Sequence, residues 1–454
     1  MKPKLLLTAL AFSLCISTVR SQTWQVLGTA AFSNPVTANS ITSMALDQSG
    51  NPYVAYSDAS NTDKISVMRF NGVSWVQVGA AGFSAGAGYD VSIAFDSNNS
   101  PYVAFGDAGN SSKTTVMRFN GSNWVNVGNA GFSDGVVNNC TIKFGPGDTA
   151  FVAYVDQFYS GKAVVKKFNG TNWVNVGNAG FTAGGTGQMT MALNNNGIPY
   201  VAYQDQANGF AESCMRYNGN GGWVHVGSNT FSAGTVQYSH IVFDNAGVTP
   251  YICYNTGSNP FAPNVQVYNG ASWQYVGGQN LNTDVDYLNN IAIDSNNMPY
   301  VIFPDGSFNY QASVMMYNNS AWGYVGTAGF SANGVSFPNI SIDALNNVYA
   351  EYYENGNSNK ITVMKYDVST GMNFLASDNI LSVYPNPAHD RLTLNFNKKA
   401  DLKISVYDSA GRLLFSATAS EKQFTLNISS LSPGIYFLEM MNGHDLDYRK
   451  FVKE

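Results

Sequence analysis

Seven tryptophans stand in this 454-residue chain, at positions 24, 75, 124, 173, 223, 273 and 322, with intervals of 51, 49, 49, 50, 50 and 49 residues. None lies outside the series, and each opens a short β-like run that ends in glycine, from WQVLG at Trp24 to WGYVG at Trp322. A period of this length restricts the chain to copies of one supersecondary unit, stacked or closed into a circle. A unit that small cannot bury its own apolar face, so neighbours must cover it.

Aligning the intervals exposes four strand-like runs per unit, each apolar or alternating and bounded by Gly, Asn, Asp or Pro. Run A is SMALD (43–47) and its copies up to NISID (339–343); run B is PYVAY (52–56) and its copies up to VYAEY, which ends at Tyr352. Run C is VMRFNG (67–72) and its copies, and run D is the tryptophan run. The Asn-Gly after run C predicts a tight type I′ hairpin, because both central residues of that turn need positive φ. Four antiparallel strands in about 50 residues match a β-propeller blade better than a solenoid repeat. A D run (Trp24–Leu27) stands alone at the front, and an A-B-C set (339–368) stands at the back with no tryptophan after it. Seven complete blades result if the leading strand joins the last set and closes the ring. The expected fold is all-β: a seven-bladed β-propeller whose N-terminal strand closes the last blade, followed by a small β-sandwich.

Residues 1–21 read as a signal peptide: Lys2 and Lys4, an apolar run from Leu5 to Ile16, then Val19 and Ser21 before a cleavage at Gln22. The propeller is assigned to 22–368, a linker to 369–379 and the sandwich to 380–454. No later segment approaches the roughly 20 apolar residues of a membrane span. Cys140, Cys214 and Cys253, an odd number on different repeats, predict buried free thiols rather than disulfides or a metal site. The tail carries YPNP (384–387), VYDSAGR (406–412), LSPGIYF (431–437) and KFVK (450–453) in that order. On these motifs it resembles the type A C-terminal sorting domain of the Bacteroidetes type IX secretion system. The resemblance implies handling by that machinery, passage across the outer membrane, and then release or attachment to the cell surface.

An acid follows run B by two residues in six units: Asp58, Asp107, Asp156, Asp205, Asp305 and Glu354, with Thr256 in the fifth. Such a ring could hold hydroxylated sugars or Ca²⁺, both of which favour oxygen ligands. No specific calcium motif supports the metal. Alternatively each carboxylate caps its own B–C loop or pairs with the nearby Lys64, Lys113, Lys162 or Lys360. Blades about 10 Å apart cannot share one ion between equivalent acids, so any such site would be repeated. A second acidic series at the end of run A, from Asp47 to Asp343, reads as turn capping. Phe32, Phe83, Phe132, Phe181, Phe231 and Phe330, broken by Leu281, are either sugar-stacking platforms or plugs between blades; the tryptophans read as packing residues.

Catalytic constellations are poor. The sequence contains no nucleophile elbow, HExxH, paired-Cys metal motif or phosphate loop, and the nearly equivalent acids offer no singular pair for glycoside cleavage. Residues 22–379 hold 11 Lys+Arg against 21 Asp+Glu, a net of −10, which disfavours nucleic acid. Three functional readings remain. The leading one is a secreted or surface-attached, non-enzymatic propeller binding surface or environmental glycans, adhesive in character, with Asp58, Asp107, Asp156, Asp205, Asp305, Glu354, Phe83, Phe132, Phe181 and Phe330 as ligand residues and no cofactor. The alternatives are a polysaccharide hydrolase or lyase built on irregular blade five (Thr256, Asn259, Asp284, Asp286), and an architectural protein-docking ring.

Overall fold

A computed structural model describes residues 23–38, 40–257, 261–282, 284–285, 288–367, 380–396, 402–408, 412–442 and 445–454. The signal-peptide reading of 1–21 and the linker reading of 369–379 lie outside these residues. The described residues form two compact units, one within 22–368 and one within 369–454.

The larger unit consists of seven four-stranded antiparallel sheets, each in the order A-B-C-D. Blade one is Ser43–Leu46, Pro52–Asp58, Lys64–Phe70 and Trp75–Gln77, and blades two to six follow in chain order, ending in the strands of Trp124, Trp173, Trp223, Trp273 and Trp322. Blade seven takes Val335–Ile342, Val348–Glu354 and Ile361–Tyr366 from the end of the repeat and Gln25–Val26 from its start. Gln25 pairs with Lys365 and Val26 with Met364, so the leading strand closes the ring. Strand B is buried along nearly its whole length in every blade, as its continuous Val/Ala/Tyr runs require.

Strand A is the inner edge of each blade, and its free donors need partners. Side chains of the preceding blade supply them: Ile93 N donates to Ser43 Oγ (3.1 Å), Ile142 N to Ser92 Oγ (3.2 Å) and Ile241 N to Thr190 Oγ1 (3.1 Å). The tryptophans lock the blades farther out. Each indole Nε1 donates to a carbonyl just after the neighbouring D strand at 2.7–2.9 Å, from Trp75 to Leu27 O round to Trp24 to Val325 O. The glycine closing each D run must therefore lie close to an indole. Gly79, at φ +70°, leaves so little room that a Cβ there would stand 3.0 Å from the Trp124 ring.

The hairpin between C and D departs from expectation. Phe70 pairs with Trp75, so the loop has four residues, and Gly72 alone takes positive φ, at +96°. Asn71 instead accepts hydrogen bonds from Val73 N and Ser74 N through Oδ1 (3.0 and 2.9 Å), an Asx turn that shapes the loop without a left-handed asparagine.

The smaller unit is a sandwich of a three-stranded sheet (Ile380–Tyr384, Arg391–Phe396, Gln423–Asn427) and a four-stranded one (Leu413–Ala419, Leu402–Asp408, Gly434–Asn442, Asp445–Lys453). Leu392, Leu394, Phe396, Ile404, Val406, Leu438 and Phe451 fill the space between them. Arg412 closes one turn by donating from N and Nε to the Asp408 carboxylate at 3.0 and 3.1 Å.

Candidate functional site

The acids after strand B are not a ligand ring. Asp58, Asp107, Asp156, Asp205 and Asp305 are 0–1% exposed and Glu354 is 5% exposed. Asp58 shows why: Oδ1 accepts from Ser60 N (3.0 Å), while Oδ2 accepts from Asn61 Nδ2 and Ser66 Oγ (both 2.8 Å) and from Asn34 Nδ2 (3.1 Å). It caps a one-turn 3₁₀ segment and ties it to the D–A loop packed against it. Asp107, Asp156, Asp205 and Asp305 cap their own turns in the same way, and Glu354 accepts from Asn333 Nδ2 (3.2 Å). The correction is physical: the five aspartates hold two to four internal donors each and Glu354 one, all six are buried, and such carboxylates have little capacity left for a sugar or a cation. The acids at the end of strand A cap turns as read, with Asp47 Oδ1 accepting from Ser49 N and Asn51 N.

The phenylalanine series is corrected likewise. Phe83, Phe132, Phe181 and Phe330 lie flat on Trp124, Trp173, Trp223 and Trp24, and Phe32 and Phe231 on Trp75 and Trp273, with centroids 3.9–4.7 Å apart and planes within 2–18°. Their ring faces are occupied by the next blade. In blade five, Thr256 Oγ1 accepts from Asn264 Nδ2 (2.9 Å) as the local substitute for the capping acid. Asp284 is exposed, with its carbonyl accepting from Gly306 N (2.7 Å); Asn259 and Asp286 lie outside the described residues. Cys140, Cys214 and Cys253 are free and buried. Among the described residues no three His, Cys, Asp or Glu side chains are grouped to hold a metal ion.

Two features that the repeat pattern conceals stand out instead. On the face that carries the B–C and D–A loops, blades three, four and six expose large aromatics from their B–C loops: Phe158 (69%), Phe210 (44%), Phe308 (38%) and Tyr310 (43%). Phe210 and Tyr310 adopt φ of +61° and +60°, a region costly for bulky side chains. The equivalent residues elsewhere are Asp63, Ser112, Gly161, Phe261 and Asn359.

The second feature is the central channel, about 700 Å³, lined by strand A of all seven blades. In blades two, three, four, five and seven the start of strand A carries a register shift. In four of these, a bulged residue has φ near +50°: Asp90, Asn139, Tyr238 and Phe337. Asp90, Asn139 and Tyr238, with Gln188 and Ile41, line one end of the channel. Tyr238 and Phe337 meet edge to face there, centroids 6.3 Å apart. Asn139 N donates to Asp90 Oδ2 (2.8 Å), yet burial still pushes that carboxyl above its ordinary range. Deeper inside, Lys143 occupies the place of Ala45, Ala94, Ala192, Val242, Ala292 and Ser341. It is solvent-accessible while walled by protein, and that surrounding lowers its pKa. His240, in the same channel, is held down to about 4 by burial and then by Lys143.

Among solved structures the chain is similar to the BP39L lectin from Burkholderia pseudomallei, with a TM-score of 0.53 at 13% identity over 73% of this chain and 96% of that one. It also aligns with PorZ, a surface component of the type IX secretion system of Porphyromonas gingivalis, at a TM-score of 0.47 and 16% identity over 94% of this chain; it spans 61% of PorZ. The α-L-arabinofuranosidase Arb93A of Fusarium graminearum aligns at 0.42 and 11% identity over 77% of this chain and 99% of that one. Identities this low establish a shared fold alone. No curated protein matches the sequence, and no helix among the described residues is long and apolar enough to cross a membrane. Residues 382–454 match the family model of the secretion system C-terminal sorting domain, and the C-terminal β-sandwich is a domain of that family.

Proposed function

We propose that the protein is a non-enzymatic glycan-binding propeller, delivered by the type IX machinery through a type A sorting domain and then released or held at the cell surface. The observation that carries the reading is the cluster of exposed aromatics on one face: Phe158, Phe210, Phe308 and Tyr310. An exposed ring offers the apolar C–H faces of a sugar a flat partner, and the Asn- and Ser-rich loops beside it offer donors and acceptors for hydroxyls. Phe210 and Tyr310 carry bulky rings at a turn position of positive φ, a conformation disfavoured for such side chains, and leave 44% and 43% of their surface exposed to a ligand. Platforms on three blades would engage a polymer several times, so weak sites gain by avidity.

The test is a glycan array followed by calorimetry with the full mature chain and with the Phe210→Ala, Tyr310→Ala double variant. Because both rings are exposed, the variant should unfold within a few degrees of wild type, while affinity for the best polysaccharide should fall at least tenfold. Binding that survives the double substitution, or no binding across a broad panel of polysaccharides, would overturn the reading.

A further inference from the structure

Lys143, Thr141 and His240 form a group that the blades themselves do not use. In the layer of strand A that laces the inner edge, Ser43, Ser92 and Thr190 accept from the next blade's backbone, Asn290 donates to Asn339 Oδ1 (3.1 Å) and Asn339 donates to Thr42 O (3.1 Å). The side chains of Thr141 and His240, the remaining two of these seven positions, make no hydrogen bond among the described residues. Lys143, two residues beyond Thr141 on the same strand and therefore on the same face, likewise has neither hydrogen bond nor ion pair there.

Lys143 is the single lysine or arginine lining the channel. Among the described residues the lining carboxylate is Asp90, on strand A of the neighbouring blade and nearer the channel end, roughly 10 Å along the strand direction. Asp90 is also already engaged by Asn139 N. The ammonium thus faces a bore lined largely by apolar and small side chains, where a charge interacts more strongly than in open solvent. The six other blades place Ala, Val or Ser at this level, which leaves free volume opposite the lysine. Packing does not require a lysine where alanine serves four blades.

We propose that the channel is an anion site for a carboxylate-bearing sugar or small acid, with the carboxylate on Lys143 Nζ and hydrogen bonds from the Thr141 hydroxyl and the His240 imidazole. This site is separate from the aromatic face and does not depend on it. Blades three and five supply the contacts across blade four, so the ligand lies against one side of the bore.

Calorimetry on the full mature chain with glucuronate, its neutral counterpart glucose, and acetate tests the proposal, and acetate separates recognition of the bare carboxylate from recognition of a uronic acid. Glucuronate should bind and glucose should not, and Lys143→Ala, which restores the residue of blades one, two, four and six, should weaken glucuronate at least tenfold without lowering Tm. Acetate binding lost in the same variant makes the site a carboxylate site; glucuronate binding alone makes it a uronate site. Should Lys143→Ala fail to fold, Lys143→Met keeps the stem and removes the charge. Glucuronate and acetate both failing to bind at tens of millimolar, or binding equally to wild type and the lysine variant, overturns the proposal.

Discussion

At the residue scale, Glu351 shows a blade departing from its own repeat. It occupies the place of Ala55, Ala104, Ala153 and Ala202 in strand B, wholly buried, with Oε2 accepting from Asn339 Nδ2 (2.6 Å) and Thr42 Oγ1 (3.1 Å) and Oε1 without a partner. Burial outweighs those two hydrogen bonds and raises its pKa to about 8. A carboxyl raised in the folded state holds its proton more tightly there than in the unfolded chain, so stability is complete below the unfolded value near 4.5. It declines as pH climbs towards 8, because the unfolded chain ionises first. Glu351→Gln removes that ionisation. In urea unfolding the variant should gain on wild type between pH 5 and pH 9 by on the order of 1–3 kcal/mol; an equal gap at both pH values would show that Glu351 does not titrate in this way. The capping acids, by contrast, follow their repeat. Their recurrence was legible from spacing, but their role was decided by burial that no spacing reveals.

At the scale of the element, strand D works through its tryptophan. Trp173 stacks on Phe132 at 4.7 Å and donates Nε1 to Val127 O at 2.7 Å. Trp173→Phe keeps much of the stack and leaves a carbonyl at the blade junction without its donor. It should cost about 1–3 kcal/mol, read as a lower unfolding midpoint with glycan affinity unchanged; a variant as stable as wild type would reduce these bonds to bystanders. The strands themselves were legible from alternation and turn residues, because each blade buries the same positions. Two local features were not. The C–D loop has four residues because Asn71 forms an Asx turn, and a hairpin signal alone does not distinguish that loop from a two-residue one. The bulges that carry Asp90, Asn139, Tyr238 and Phe337 insert one residue into a ladder of period two, which places those side chains in what reads as loop. The usable signal was the opposite of repetition: at this point of the unit the blades carry Ile41, Asp90, Asn139, Gln188, Tyr238, Leu288 and Phe337, seven different residues.

For the whole molecule, the ring stands or falls with its seam. Every other sheet is continuous in the chain, whereas the seventh is completed by a segment more than 300 residues away from its partners. That segment is fastened at several depths. Trp24 is 8% exposed, donates to Val325 O at 2.8 Å and stacks on Phe330 at 4.1 Å; Leu27, Phe32 and Val36 then donate backbone N–H groups to Val363, Ile361 and Asn359 at 2.9–3.0 Å. Trp24→Ala removes a buried indole from the one D strand that no hairpin joins to its own sheet, and should cost about 3–5 kcal/mol. Deleting residues 22–36 goes further. It uncovers strand Ile361–Tyr366, a flat edge with a full row of unpaired backbone groups, and such an edge recruits another strand. The deleted protein should therefore unfold at a lower temperature than the point variant and run as dimers or larger species in size-exclusion chromatography, while Trp24→Ala remains monomeric. A monomeric deletion protein with the wild-type unfolding temperature would mean that the six continuous blades hold the circle without their seam, and the sealing role of the leading strand would have to be abandoned.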